Sequence, residues 1–181
     1  MDDNLPIAIR PATNADLPGM LAIINREIRE GVAHFGTEDQ TLAEIEAEHD
    51  ARHGLPWLVA DMGGVIAGFA RAGRWKQRLA YSWTVEVSVY LAPEFQGKGL
   101  GKRLYETLFD ELERLGYRRA IAGMTMPNDA SRKLHESMGM RLVGEFERQG
   151  FKHGRWYNVR YYQLDLPRDG DADAPPARSN H

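Results

Sequence analysis

Apolar positions recur along most of the chain with a period that switches between two and nearly four. Ile7–Arg10 reads as a short strand. After Thr13 or Asn14 as cap, Leu17, Met20, Leu21, Ile24 and Ile28 share one helical face. Thr41-x-x-Glu44 is a capping-box signature and opens a second helix through about Arg52. Trp57–Ala60 and Val65–Ala72 flank Gly63-Gly64 and predict a hairpin. Across residues 82–91, Trp83, Val85, Val87, Val89 and Leu91 take one face of a strand, and Thr84, Glu86, Ser88 and Tyr90 the other. A glycine-rich turn leads into a helix striped by Leu100, Leu104, Leu108, Leu112 and Leu115 and closed by Gly116. Arg119–Thr125 predicts a strand, Asp129–Met138 a helix stopped by Gly139, and Arg141–Arg148 and Asn158–Leu166 two closing strands. Helices interleaved with strands and hairpins give an α/β class, a mixed sheet with helices on both faces.

Composition narrows the classes. The 181 residues suit one domain, and 43% apolar with 27% charged is an ordinary globular balance. From Pro167 onward no apolar residue is larger than Ala, which predicts a folded domain over 1–166 and a disordered tail over 167–181. A net charge of −3 argues against a nucleic-acid partner. The acidic start and the lack of a long apolar run argue against a secretory leader or membrane partner, so the expected location is the cytoplasm. Zero cysteines exclude disulfides, thiolate metal sites and a cysteine nucleophile, and the six histidines show no H-E-x-x-H spacing, so no metal is implied.

The candidate chemistry starts at Gln96-Gly97-Lys98-Gly99-Leu100-Gly101-Lys102-Arg103, between a strand and an amphipathic helix. Glycines permit close approach of backbone to ligand, and a helix N-terminus offers free N–H groups at its positive end. With Lys98, Lys102 and Arg103 and no acid among them, the segment suits a phosphate or pyrophosphate, or is simply a tight turn with basic residues in water. It is not a P-loop, because Gln96 stands for the first glycine and Arg103 for Ser/Thr. It is not a dinucleotide fingerprint either, because its third glycine comes one residue early.

Q-G-K-G-L-G after a strand resembles the pyrophosphate loop of the GCN5-related N-acetyltransferases. Further motifs narrow the resemblance: residues 83–91, Pro127-Asn128-Asp129-x-Ser131 with Leu134-His135-Glu136, and Gly150-Phe151-Lys152-His153-Gly154-Arg155-Trp156. Together they are similar to the phosphinothricin/methionine sulfoximine acetyltransferase subfamily. The resemblance implies a mostly antiparallel twisted sheet, splayed where acetyl-CoA binds. Main-chain groups of Val89, Tyr90 and Leu91 would meet its pantetheine arm, Gly97, Lys98, Gly99, Leu100, Gly101 and Lys102 its pyrophosphate, and Asn128 the cofactor as well. Asn128 also reads as a helix cap.

An acid between two strand valines is costly unless its site is polar or functional, and Glu86 matches the subfamily's proposed base. Its plain alternative is a solvent-facing strand residue paired with an Arg. His135 is the second catalytic candidate, against a packed helical histidine. For the acceptor, the resemblance implies Phe35, Lys76, Arg78 and Tyr81, cations and rings suited to a carboxylate and a tetrahedral oxyacid head. Trp156-Tyr157-Asn158 departs from the subfamily's W-x-D. The implied activity is direct acetyl transfer to the primary amine of a small amino-acid-like substrate, in a homodimer as the family often forms. The oxyanion would rest on a backbone N–H of the Val87–Leu91 strand. An acetyltransferase for another amine, such as a protein N-terminus or a polyamine, stays open, as do a non-catalytic acyl-CoA sensor and an interaction module.

Overall fold

A computed structural model describes residues 6–168, 170, 171 and 173. Seven strands form one open sheet: β1 (Ala8–Pro11), β2 (Trp57–Met62), β3 (Val65–Arg74), β4 (Thr84–Leu91), β5 (Arg119–Thr125), β6 (Arg141–Lys152) and β7 (Arg155–Asp165). Four helices accompany them: α1 (Leu17–Glu30), α2 (Leu42–Asp50), α3 (Leu100–Arg114) and α4 (Asp129–Ser137). The strand order is β1-β2-β3-β4-β5-β7-β6, antiparallel throughout except between β4 and β5. The α/β class and the mostly antiparallel sheet agree with the sequence reading.

Strand alternation sorts the core into two layers. Leu58, Ala70, Ala72, Val85 and Val87 pack beneath Leu100, Leu104, Leu108 and Leu112 of α3, while Trp57, Val59 and Phe69 face Leu17, Met20, Ile24 and Ile28 of α1 and Ile45 of α2. The four α3 leucines are buried, each worth about 1.5–3 kcal/mol of transfer free energy. The capping box forms as the sequence predicts. Thr41 Oγ1 accepts the Glu44 N–H at 3.3 Å, and the Glu44 carboxylate accepts the Thr41 N–H at 2.7 Å.

Three boundaries differ from the sequence expectation. Helix α3 ends at Arg114, so Leu115 leaves the apolar stripe and is exposed; Gly116 at φ +84° turns the chain away there. A short 3₁₀ turn over Asn14–Asp16 precedes α1, and Asp16 rather than Thr13 or Asn14 stands at the α1 cap position. The closing strands are longer than their apolar runs. Residues 150–157 pair as a hairpin around His153-Gly154, whose φ values of 47° and 77° match the left-handed pair a two-residue loop requires. The expectation of a disordered tail over 167–181 falls largely outside the described residues. Within them, Arg168 donates to Glu113 of α3 at 2.8 Å and pairs with Asp110.

Candidate active site

The sheet forks in the middle. Strand β4 pairs with β5 at Thr84, Val85 and Glu86 only, whereas it stays paired with β3 from Val85 to Leu91. Beyond Glu86 one edge of β4 therefore has no strand partner among the described residues, and the peptide groups of residues 87–91 on that edge are open to a ligand. Pairing stops at Glu86 and Ile121 although β5 runs on to Thr125 and stays paired with β7, so β4 and β5 start together and then diverge, with α3 making the crossover between them.

At the end of β4 the chain folds back through Gln96, whose side-chain amide donates to the Leu91 carbonyl at 3.3 Å. Gly97 and Gly99 have φ +72° and +76°, and a Cβ on either would meet nothing within 4 Å. Both glycines are thus set by backbone conformation, and the space beside them is free for a ligand. Gly99 caps α3, so the first N–H groups of that helix face the same opening. Gly101 has a different reason: a Cβ there would lie 3.3 Å from Leu134, so its hydrogen lets α3 pack against α4. The loop cations lie around the rim, with Lys98 Nζ 5.8 Å from the Phe95 ring centroid and Lys102 3.8 Å from Glu106. Asn128 caps α4 by accepting the Ser131 N–H at 3.0 Å.

Beside the fork lies a cavity of about 780 Å³. Its wall includes Phe35, Tyr81, Glu86 and Tyr90, four of the residues expected at the site. Glu86 stands directly across from Gly73 in the β3–β4 ladder, where no side chain covers it. Among the described residues it has no hydrogen bond or ion pair. Partial burial raises its pKa above the usual carboxylate value, while the charges of Lys76 and Arg71 pull it back. Burial pushes the Tyr90 hydroxyl up to about 12, so it stays protonated.

Other expected residues fall elsewhere. Lys76 stacks on Trp75 at 4.5 Å and Arg78 precedes the 3₁₀ turn Leu79–Tyr81; both are exposed and neither lines the cavity. Val89 and Leu91 point to the α3 layer, so only their main chain serves the fork. His135 is not brought to Glu86. It is 2% exposed, stacked on Tyr162 at 5.2 Å, with Nε2 3.4 Å from the Tyr105 hydroxyl and Nδ1 3.4 Å from Ser131 Oγ. Burial lowers its pKa to about 4 against a bond to the Ser131 backbone, so it is neutral near pH 7. Asn158 donates to Glu145 at 2.7 Å and accepts the Arg148 N–H at 2.9 Å, which fixes the irregular part of the β6–β7 ladder.

The sequence reading missed His34, Arg71 and Tyr161 in the cavity wall. Arg71 pairs with Glu48 at 2.7 Å and lies 4.9 Å above the Trp57 ring, which holds a guanidinium two ladder positions from Glu86. Its signal was a lone Arg in the apolar run Val65–Ala72, a residue out of pattern. Among the described residues no three His, Asp or Glu side chains gather to hold a metal, and no helix is long and apolar enough to cross a membrane.

A family model described as the acetyltransferase (GNAT) family matches residues 20–140. The chain is 42% identical to a phosphinothricin N-acetyltransferase of Streptomyces viridochromogenes over 94% of its length and 92% of the relative's. It is 35% identical to an L-methionine sulfoximine/L-methionine sulfone acetyltransferase of Salmonella typhimurium over 93% and 99%. Its fold is similar to the crystal structure of a GNAT superfamily phosphinothricin acetyltransferase from Sinorhizobium meliloti in complex with acetyl-CoA. The TM-score is 0.89 at 34% identity, over 96% of this chain and 94% of that one.

Proposed function

The chain belongs to the GNAT acetyltransferase family, and from that premise we propose that it moves an acetyl group from acetyl-CoA to the primary amine of a small amino-acid-like acceptor. The acceptor class is that of phosphinothricin, methionine sulfoximine and methionine sulfone. The observation that carries the reading is the fork itself: Glu86 is the last β4 residue paired to β5 and opens onto the cavity.

Acetyl-CoA supplies a thioester, an acyl group already activated toward amines. The loop suits its pyrophosphate, since Gly97 and Gly99 hold left-handed conformations with free space beside them and α3 presents its N-terminus there. The unpaired β4 edge suits the amide-bearing arm, and Asn128 Nδ2 adds a donor at the start of α4. Glu86 does the proton work. An amino-acid amine is mostly an ammonium ion near neutral pH, and attack on the acyl carbon needs its lone pair. The carboxylate takes that proton directly or through one water, and partial burial raises its pKa toward the working pH, which strengthens it as a base. A backbone N–H within Val87–Leu91 donates to the acyl oxygen as it gains negative charge. With no cysteine in the chain to carry the acetyl group, transfer is direct: the amine's N–C bond forms, the thioester C–S bond breaks, and CoA leaves as a thiolate that takes up a proton from solvent.

Arg71 stands where a guanidinium would receive the acceptor's carboxylate or oxyacid head, and Phe35 and Tyr81 close the wall around its side chain. Lys76 and Arg78 act from the rim, as a field that draws an anionic acceptor in. His135 stays outside the chemistry. The protein works as a cytoplasmic homodimer that inactivates toxic amino-acid analogues. Phe146, Phe151 and Trp156, exposed along the β6–β7 hairpin, support its association.

Thiol release with methionine sulfoximine, methionine sulfone and phosphinothricin tests the acceptor, with polyamines and a peptide N-terminus as comparison. Turnover of the first group and little of the second is expected; the reverse pattern overturns the acceptor class. Glu86→Gln tests the base, since glutamine keeps size and hydrogen bonding but accepts no proton. Turnover should fall by about 10²–10⁴-fold with acetyl-CoA affinity kept, and unchanged turnover at neutral pH would end the assignment.

A further inference from the structure

The motif at residues 150–156 matches the subfamily, yet none of its residues lines the cavity, which Gln149 just before it reaches. Its residues act on another segment. Residues 31–41, between α1 and α2, have no regular structure, and they place His34 and Phe35 in the cavity wall. Such a loop keeps its shape only if its peptide groups are tied down.

The tip of the β6–β7 hairpin supplies those ties. Lys152 is 3% exposed, and its Nζ donates to the His34 carbonyl at 2.6 Å and to the Glu27 carbonyl, in the last turn of α1, at 3.4 Å. Among the described residues no carboxylate lies within ion-pair distance of it, and burial lowers its pKa with only a partial offset from Glu27. An ammonium buried on carbonyls alone is costly, and a methionine would fill the same space without that cost. What the ammonium adds is a link: one group binds the end of α1 and the loop carbonyl beside Phe35. His153 Nε2 lies 3.1 Å from the Gly31 carbonyl. Gly150 completes the seat, since a Cβ there would lie 2.3 Å from the Phe35 ring. From within, Glu27 accepts the Ala33 N–H at 2.8 Å and His34 Nδ1 accepts the Gly36 N–H at 3.0 Å.

We propose that Lys152 is a positioning residue for acceptor recognition: with Gly150 and His153 it fixes residues 31–36 so that His34 and Phe35 form the acceptor wall. The inference rests on the reading of the cavity as the acceptor site. It assigns the motif at 150–156 to the substrate side of the enzyme, remote from the glycine loop.

The test compares Lys152→Met with wild type in two measurements. In steady-state kinetics, KM for methionine sulfoximine should rise about tenfold or more, with kcat within about threefold and KM for acetyl-CoA within about twofold. By amide hydrogen exchange, Ala33 and Gly36 should exchange about tenfold faster or more, with β2–β4 unchanged. Gly150→Ala, whose nearest conflict is with the Phe35 ring, should give the same split in KM and serves if Lys152→Met fails to fold. Equal rises in both KM values, an unchanged acceptor KM, or unchanged exchange at Ala33 and Gly36 would each overturn the proposal. If wild type does not turn over methionine sulfoximine at all, the acceptor reading fails instead, and the exchange measurement still judges Lys152.

Discussion

Acidification should destabilise this protein through His135, by an amount its burial allows to be worked out. In the folded chain His135 stays neutral down to a pKa of about 4, because its ring is enclosed by Tyr105 and Tyr162. In the unfolded chain the same imidazole takes up a proton near its ordinary pKa of about 6.5. Between these values the unfolded state binds more protons, so the stabilising contribution is whole above 6.5 and drains away as pH falls toward 4. At roughly 1.36 kcal/mol per pH unit, going from pH 7.5 to 5 removes roughly 2 kcal/mol, and complete titration roughly 3 kcal/mol. His135→Phe keeps an aromatic ring in the stack and removes the titration. Urea unfolding at pH 7.5 and 5 should then show wild type losing roughly 2 kcal/mol more than the variant. Turnover of His135→Phe at pH 7.5 should stay within about threefold of wild type, since the ring lines no part of the cavity. Equal pH dependence in the two proteins would refute the burial argument. A loss of about 10²-fold in turnover with stability kept would return His135 to the chemistry.

Other expectations follow from the same geometry. The acidic limb of kcat/KM should lie above the usual carboxylate range because burial raises Glu86, and Glu86→Gln should abolish that limb in a pH–rate profile. Arg71→Met should raise acceptor KM about tenfold to a hundredfold; because Arg71 lowers the Glu86 pKa, its loss should also move the acidic limb to higher pH. Gly99→Val places a β-branched residue at φ +76° and should abolish CoA binding by calorimetry. Lys98→Ala should weaken it by only a few-fold, and equal losses would contradict a grip made by main-chain N–H groups. Thr41→Ala should cost about 1 kcal/mol of unfolding free energy, because the Glu44 N–H loses its cap.

Local order was legible from residue types alone. The leucine stripe of α3, the Thr41–Glu44 box and the alternation of β4 each follow from backbone periods of 3.6 and 2 and from capping chemistry. The glycine loop was legible too, since Gly97 and Gly99 sit where a left-handed backbone is needed. So was Glu86, as an acid out of place between valines. Which faces meet is a different matter, because periodicity places a side chain relative to its own element and not to the others. The fork between β4 and β5 lies where their pairing ends, at Glu86 and Ile121, and only the folded sheet sets that point. His135 and Lys76 show the consequence. One is a polar helical residue that packing seals among aromatic rings, and the other a loop cation left on the rim while Arg71, on a strand read as core, enters the cavity wall. The loop carrying His34 and Phe35 is held by Lys152, 118 residues after His34, a contact that exists only because the last hairpin folds over the end of α1.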